Sequence, residues 1–418
     1  MLAALSALAA VLAIAGCGAS LRHVGGEEDA SADVDAASPG SCGATVLDAL
    51  GHVATLVYRE GVVSERVDSA RHMIESSTAL RKAVEANDAP AARIAAHALI
   101  ATGHLTDLRV VRAGKLLIEV GGAALAPVRG ALTGTAKQPI ANYVTSVWAA
   151  GGLVAETNGI AEGTTVIRSA RGSSDARTIA GSFTLPAGEL PSAGTLTSDD
   201  VAYQYTSFAA TAYPDGAPLR VYVLRALSSL QPLCGSSDDD TTVNTLSQIA
   251  HLIYDGEAGK RTGKQIRRVQ QYGPLLRAVS HRDSKATRTA IEALLHQHIV
   301  RLRVSAGGHL LADVGGPYVL APVTAPLRLG GHTIGSFTLS IQDDEGYKRL
   351  ANRLAGLDVL MYMGSHLVKS TVGYSPGPVP SSGPVSLHGR NYRAYTFTAE
   401  AFPSGPLRIT VLIPLPYS

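Results

Sequence analysis

Leu116-Leu117-Ile118-Glu119-Val120-Gly121-Gly122 recurs 194 positions later as Leu310-Leu311-Ala312-Asp313-Val314-Gly315-Gly316. Each block is followed by Ala-Pro-Val, at Ala126-Pro127-Val128 and Ala321-Pro322-Val323. Ile140-Ala141-Asn142-Tyr143-Val144-Thr145-Ser146-Val147 matches Ile334-Gly335-Ser336-Phe337-Thr338-Leu339-Ser340-Ile341, and Tyr213-Pro214 matches Phe402-Pro403. Pro218-Leu219-Arg220 matches Pro406-Leu407-Arg408. Matching blocks in the same order define an internal repeat, and a unit this long is a whole domain rather than a solenoid turn. The expected organisation is a domain over 42–231, a linker over 232–242 and a second domain over 243–418.

Outward from these blocks, both copies show the same change of period. Leu47, Leu50, Val53, Ala54 and Val57 fall at helical spacing, as do Leu246, Ile249, Ala250 and Ile253, so each copy opens with an amphipathic helix. A second helix follows, and Asn87-Asp88-Ala89-Pro90 reads as the cap of a third, with Asp283-Ser284 its counterpart. The period then becomes two. Val300, Leu302 and Val304 alternate with Arg301 and Arg303, Ser305 to Gly308 turns the chain, and His309 to Val314 completes a hairpin. Further strands are read near Ile334–Ile341, His366–Ser370, Tyr392–Phe402 and Leu407–Ile413. Helices followed by a mostly antiparallel sheet of about five strands make each copy α+β.

This order of elements resembles the extracytoplasmic PAS-like sensor domains called Cache domains. The blocks DVGGPYVLAPV (Asp313 to Val323) and GSFTLSIQDDEGY (Gly335 to Tyr347) are similar to those of single-Cache proteins from high-GC Gram-positive (actinobacterial) organisms. The resemblance covers nearly all of the second copy and, more weakly, the first. It implies two tandem PAS/Cache-like domains that sense a small molecule in a pocket between the sheet and the segments crossing it, without catalysis or cofactor.

The N-terminus points to export. Leu2 to Gly16 is uncharged and, at about 15 residues, shorter than the roughly 20 needed to span a bilayer. Ile14-Ala15-Gly16-Cys17 resembles a bacterial lipobox, which implies a signal peptide over 1–16, lipidation of Cys17 and attachment to the extracytoplasmic face of the cell membrane. No Lys or Arg precedes the apolar run, and the competing readings are an ordinary signal peptide or a buried helix with an incidental Cys. Residues 17–41 carry Glu27, Glu28, Asp29, Asp33 and Asp35 without an apolar face and read as a flexible tether. With Cys17 acylated, Cys42 and Cys234 remain as an even pair in an oxidising compartment and are expected to form a disulfide; two unrelated thiols are the alternative.

Composition excludes several classes. The 418 residues are 46% hydrophobic and 17% charged with a formal net charge of +2, enough apolar material for cores but no field for nucleic acid. Aromatic residues make up 5%, too few for base-stacking platforms. No G-x-S-x-G elbow or H-E-x-x-H motif is present, so the chain is expected not to be an enzyme. His296-Gln297-His298 places residues on different helix faces and is a poor metal site. Lys260-Arg261-Thr262-Gly263-Lys264 lacks the first Gly and the Ser or Thr of a phosphate loop and reads as a solvated basic turn that could meet anionic lipid or an acidic partner. Asp238-Asp239-Asp240 reads as solvated linker rather than a calcium loop.

The copies diverge after the third strand. The second has Gln342-Asp343-Asp344-Glu345-Gly346-Tyr347-Lys348-Arg349, the first Trp148-Ala149-Ala150-Gly151-Gly152, and Pro317-Tyr318 stands opposite Ala123-Ala124. Tyr318, Asp343, Asp344, Tyr347 and Arg349 are therefore the expected binding residues for a small polar metabolite, with the first domain degenerate. The competing reading is that Asp343-Asp344 caps a helix and Tyr347 packs. The expected function is a lipid-anchored sensor or binding protein that signals through a separate membrane receptor or transporter; the alternative is a scaffold that binds no ligand.

Overall fold

The computed structural model describes residues 41–169, 177–256, 259–295, 298–373 and 379–417. The stretch read as a signal peptide, Cys17, the stretch read as a tether up to residue 40, and His296 with Gln297 lie outside the described residues. Eleven helices are described: α1 (Cys42–Arg59), α2 (Glu65–Ser76), α3 (Thr78–Glu85), α4 (Ala89–Ala101), α5 (Ala150–Ala161), α6 (Leu227–Leu230), α7 (Asp238–Gly256), α8 (Lys260–Gln271), α9 (Gly273–Ser280), α10 (Ser284–Leu295) and α11 (Asp344–Ala355). Helices α7 to α11 repeat α1 to α5. The fold is α+β twice over, helices first and antiparallel sheet afterwards.

Ahead of its first sheet each half has four helices where the period indicates three, because a local break divides the expected second helix. Ser77 is extended and its hydroxyl accepts from the Leu80 amide, ending α2 and starting α3. Tyr272 is extended ahead of Gly273-Pro274 and divides α8 from α9 in the same way. Asp88 and Asp283 cap α4 and α10 by accepting from Ala91 and Ala286.

Each half also carries two large sheets, one four-stranded and one five-stranded, and a small one of two strands in the first half and three in the second. In the second half, His309–Gly315, Arg301–Ala306, His332–Ser340 and Val323–Leu329 form an antiparallel four-stranded sheet in that order. Leu302, Val304 and Ala306 turn inward, as the alternation requires. Helices α8, α9 and α10 cover this sheet. The five-stranded sheet is separate: His366–Ser370, Asp358–Met363, Leu407–Pro414, Arg390–Ala399 and Ser382–Leu387, again antiparallel. Helix α7 lies against it, and α11 connects the two sheets. The first half repeats the plan, with a four-stranded sheet over residues 107–146 and a five-stranded sheet over residues 164–226. Details recur too. Ser146 donates to Leu125 O and Trp148 O, as Ser340 does to Leu320 O and Gln342 O, and Gly121 and Gly315 both take positive φ, 128° and 137°.

The two halves share one core. Val46, Leu50 and Val57 of α1 belong to the same apolar cluster as Leu246 and Ile253 of α7 and Leu354 of α11. Helix α1 packs on α7 and α11, and α7 packs on α5, so equivalent surfaces meet in both directions as in an isologous dimer. Cys42 and Cys234 form the disulfide expected from the sequence, with Cα atoms 5.5 Å apart. Thr45 Oγ1 donates to Asp238 across the same junction at 2.9 Å. The stretch read as linker runs into α7: Asp238, Asp239 and Asp240 form its first turn, where carboxylates favour the helix dipole, and Asp240 pairs with Arg393. Among the described residues, no helix is long and apolar enough to cross a membrane.

Candidate functional site

The polar run beginning at Gln342 builds α11 and one wall of a cavity. Asp343 is the N-cap, its carboxylate accepting from the Gly346 amide at 2.7 Å, and Asp344 and Glu345 occupy the first turn. The helix ends at Gly356, which takes φ 62°, and the Leu357 amide bonds back to Ala351 O. Its counterpart α5 begins at Ala149 without a side-chain cap. The contrast between the copies is thus in part a difference in helix capping.

Tyr347 is fully buried, and its hydroxyl donates to Ala250 O of α7 at 2.9 Å. It fills the place that Leu153, also fully buried, fills in the first half. Burial raises its phenol far above the ordinary value. Asp344 faces Lys369 at 3.6 Å, and Tyr318 is half-buried on a strand paired with Ala401–Pro403, packed against the shared core. Gln342 stands where the first half has Trp148, whose indole N–H donates to Val57 O at 3.1 Å. Gln342 is 2% exposed, and neither end of its amide has a partner.

Of the five residues expected from the sequence, Arg349 lines a polar cavity of about 470 Å³; Tyr318, Asp343, Asp344 and Tyr347 do not. This cavity lies between α11 and the start of α2, where the two halves meet, rather than between a sheet and the segments crossing it. Lys348, Arg349, Asn352 and Arg353 project from α11, Glu60, Ser64 and Glu65 come from the first half, and Asp358, Ser370 and Thr371 close the side next to the five-stranded sheet. Both signs of charge face the same space.

Several of these groups already have partners. Ser64 Oγ donates to Glu60 O and caps α2 through the Val67 amide. Asp358 accepts from the Tyr392 hydroxyl at 3.1 Å, and Lys348 pairs with Glu345 at 2.9 Å. Glu60 is 8% exposed and contacts Arg353 Nε at 2.8 Å, in a geometry that falls short of a hydrogen bond. Burial raises the Glu60 carboxyl above its ordinary range, and the cations of Arg353 and Arg66 only partly offset this. Arg66 in turn stacks on Trp148, 5.0 Å from the ring centroid. Glu65 and Arg349 make no ion pair or hydrogen bond among the described residues, so one anion and one cation are available in the cavity.

Glu60, Glu65 and Arg353 were not singled out from the sequence. The cavity depends on how the halves pack, and no local spacing encodes that. No group of three or more His, Cys, Asp or Glu side chains that could hold a metal is present among the described residues.

No protein-family model matches this chain, and no curated protein matches it. A solved structure described as an extracellular ligand binding receptor from Desulfohalobium retbaense DSM5692 aligns with it at 9% identity and a TM-score of 0.25. The alignment covers 54% of this chain and 46% of that one, so it spans less than half of the receptor. At this score, neither fold nor function follows from the likeness.

Proposed function

We propose that the chain is a non-catalytic binding protein that takes a small zwitterionic metabolite in the cavity between α2 and α11. The observation that carries this reading is a cavity of about 470 Å³ with an unpaired carboxylate, Glu65, and an unpaired guanidinium, Arg349, on opposite halves of the molecule. The volume lies within the range of small-ligand sites. A ligand carboxylate meets Arg349, with Arg353 and Lys348 nearby, and a ligand ammonium meets Glu65 and Asp358. Among the described residues no aromatic side chain lines the cavity, which disfavours a large planar ligand. Because the walls come from two halves, occupancy biases their packing, which is the kind of change a sensor passes on. The proposed setting is the extracytoplasmic face of the membrane, with a lipid at Cys17 and a separate membrane protein as receiver.

Thermal unfolding of the full chain against amino acids, betaines, simple organic acids and simple amines tests the reading. A ligand that binds only the folded state raises the midpoint by mass action. The expected result is a rise with a zwitterion, absent with either half-molecule, and lost in Arg349→Ala and Glu65→Gln. A rise that survives both substitutions moves the site elsewhere. No rise with any compound defeats the reading in favour of a scaffold that binds no ligand.

A further inference from the structure

The helical layers of the two halves differ sharply in charge. Between positions 65 and 101, five Lys or Arg face five carboxylates; between 260 and 295, nine face two, Asp283 and Glu292, a net charge of +7. The whole chain carries +2, so this one layer is a basic face on an otherwise acidic molecule. Lys264, Arg267 and Arg268 of α8 and Lys285 and Arg288 of α10 are exposed, and none pairs with a carboxylate among the described residues.

A groove of about 770 Å³ runs along the same layer between α9 and α10. Ala278, Ala286, Ala290 and Ala293 contribute small apolar side chains, Arg277 and Lys285 add cations, and the one carboxylate lining it among the described residues, Asp283, is engaged with the Ala286 amide as the cap of α10. The corresponding layer of the first half has Ala86 and Pro90 where the groove has His281 and Lys285. The groove is recessed. None of the large apolar side chains exposed among the described residues lies in α8, α9 or α10, so this face lacks the protruding anchors that insert into a bilayer.

We propose that the α8–α10 face docks an acidic amphipathic segment of a partner protein, its apolar side chains in the alanine groove and its carboxylates against the surrounding cations. This inference does not depend on the ligand reading. Electrostatic steering accounts for the spread of charge over three helices, and the groove supplies a place for specific contact. Residues 260–264, read from the sequence as a basic turn, instead form the start of α8 at one end of this face.

The test measures binding of the full chain to a synthetic acidic helix with Glu on one face and Leu on the other. Comparisons are the same peptide with Gln for Glu, and vesicles of phosphatidylcholine with phosphatidylglycerol. The expected result is peptide binding that weakens with salt, by about ten-fold or more in an Arg267→Glu, Arg268→Glu, Lys285→Glu variant and in Ala286→Trp. Arg93→Glu on α4 is the control and leaves binding unchanged, and melting curves confirm that each variant folds. Equal binding of the Gln peptide, insensitivity to Ala286→Trp, or no peptide binding overturns the proposal. Vesicle binding as strong as peptide binding and with the same variant pattern also overturns it, in favour of a lipid surface.

Discussion

Replacing Tyr347 separates a core residue from a ligand contact. Its ring is fully buried, makes an edge contact with Phe397 at 6.3 Å, and its hydroxyl donates to Ala250 O at 2.9 Å. Tyr347→Phe deletes one neutral hydrogen bond and keeps the ring, so the expected loss of stability is about 1 kcal/mol. Tyr347→Ala also removes the ring from a close-packed interior, where aromatic-to-alanine changes cost about 3–5 kcal/mol. Urea denaturation of the full chain followed by circular dichroism measures both. The same variants are then titrated with any compound that stabilises the parent. The reasoning holds if stability falls in that order and the response of Tyr347→Phe to ligand is unchanged. It is refuted if Tyr347→Phe unfolds with the parent yet no longer responds, because the hydroxyl would then face a ligand rather than α7.

Asp343→Ala removes the N-cap of α11 and is expected to cost about 1 kcal/mol in the same assay, with Asp343→Asn recovering most of it; equal loss in both points to charge rather than capping. Gln342→Met removes two buried, unpartnered amide ends and is expected to stabilise by about 1–3 kcal/mol, an effect that a lower urea midpoint would contradict. Burial raises the Glu60 carboxyl, so the folded protein keeps that proton to higher pH than the unfolded chain does. Stability from this group is complete below the ordinary value of 4.5 and is lost as pH rises through the folded value. Glu60→Gln is therefore expected to stabilise at neutral pH and to have no effect below that value; destabilisation at neutral pH would show that the contact with Arg353 outweighs burial.

The opening helices and the 301–314 hairpin were legible because each rests on spacing within a few residues, and the repeat because matching blocks recur in the same order. The disulfide was legible from parity and compartment. Three strands of the five-stranded sheet were legible as well, but its division from the four-stranded sheet was not. Val359–Met363 is an apolar run without alternation, and Val323–Leu329 of the four-stranded sheet contains Pro326, so neither announces a strand until its partners are known. The role of Tyr347 depended on an acceptor 97 residues away, and a buried hydroxyl has the same sequence signature whether it meets a carbonyl or a ligand. Arg349 was found from the divergence between copies. Glu60, Glu65 and Arg353 were missed because their proximity is a product of packing between halves.

The disulfide also determines how force travels. Chain pulled at Ser41 loads α1 through its backbone and, one residue later, the second half through Cys234, just before α7. Helix α1 cannot be peeled off first, because the tension divides between two strands of covalent structure rooted in one core. A molecule held by its N-terminal end under flow or crowding at a surface would thus bear load as a single body, and reducing that bond would turn the attachment from a shared grip into a one-sided one.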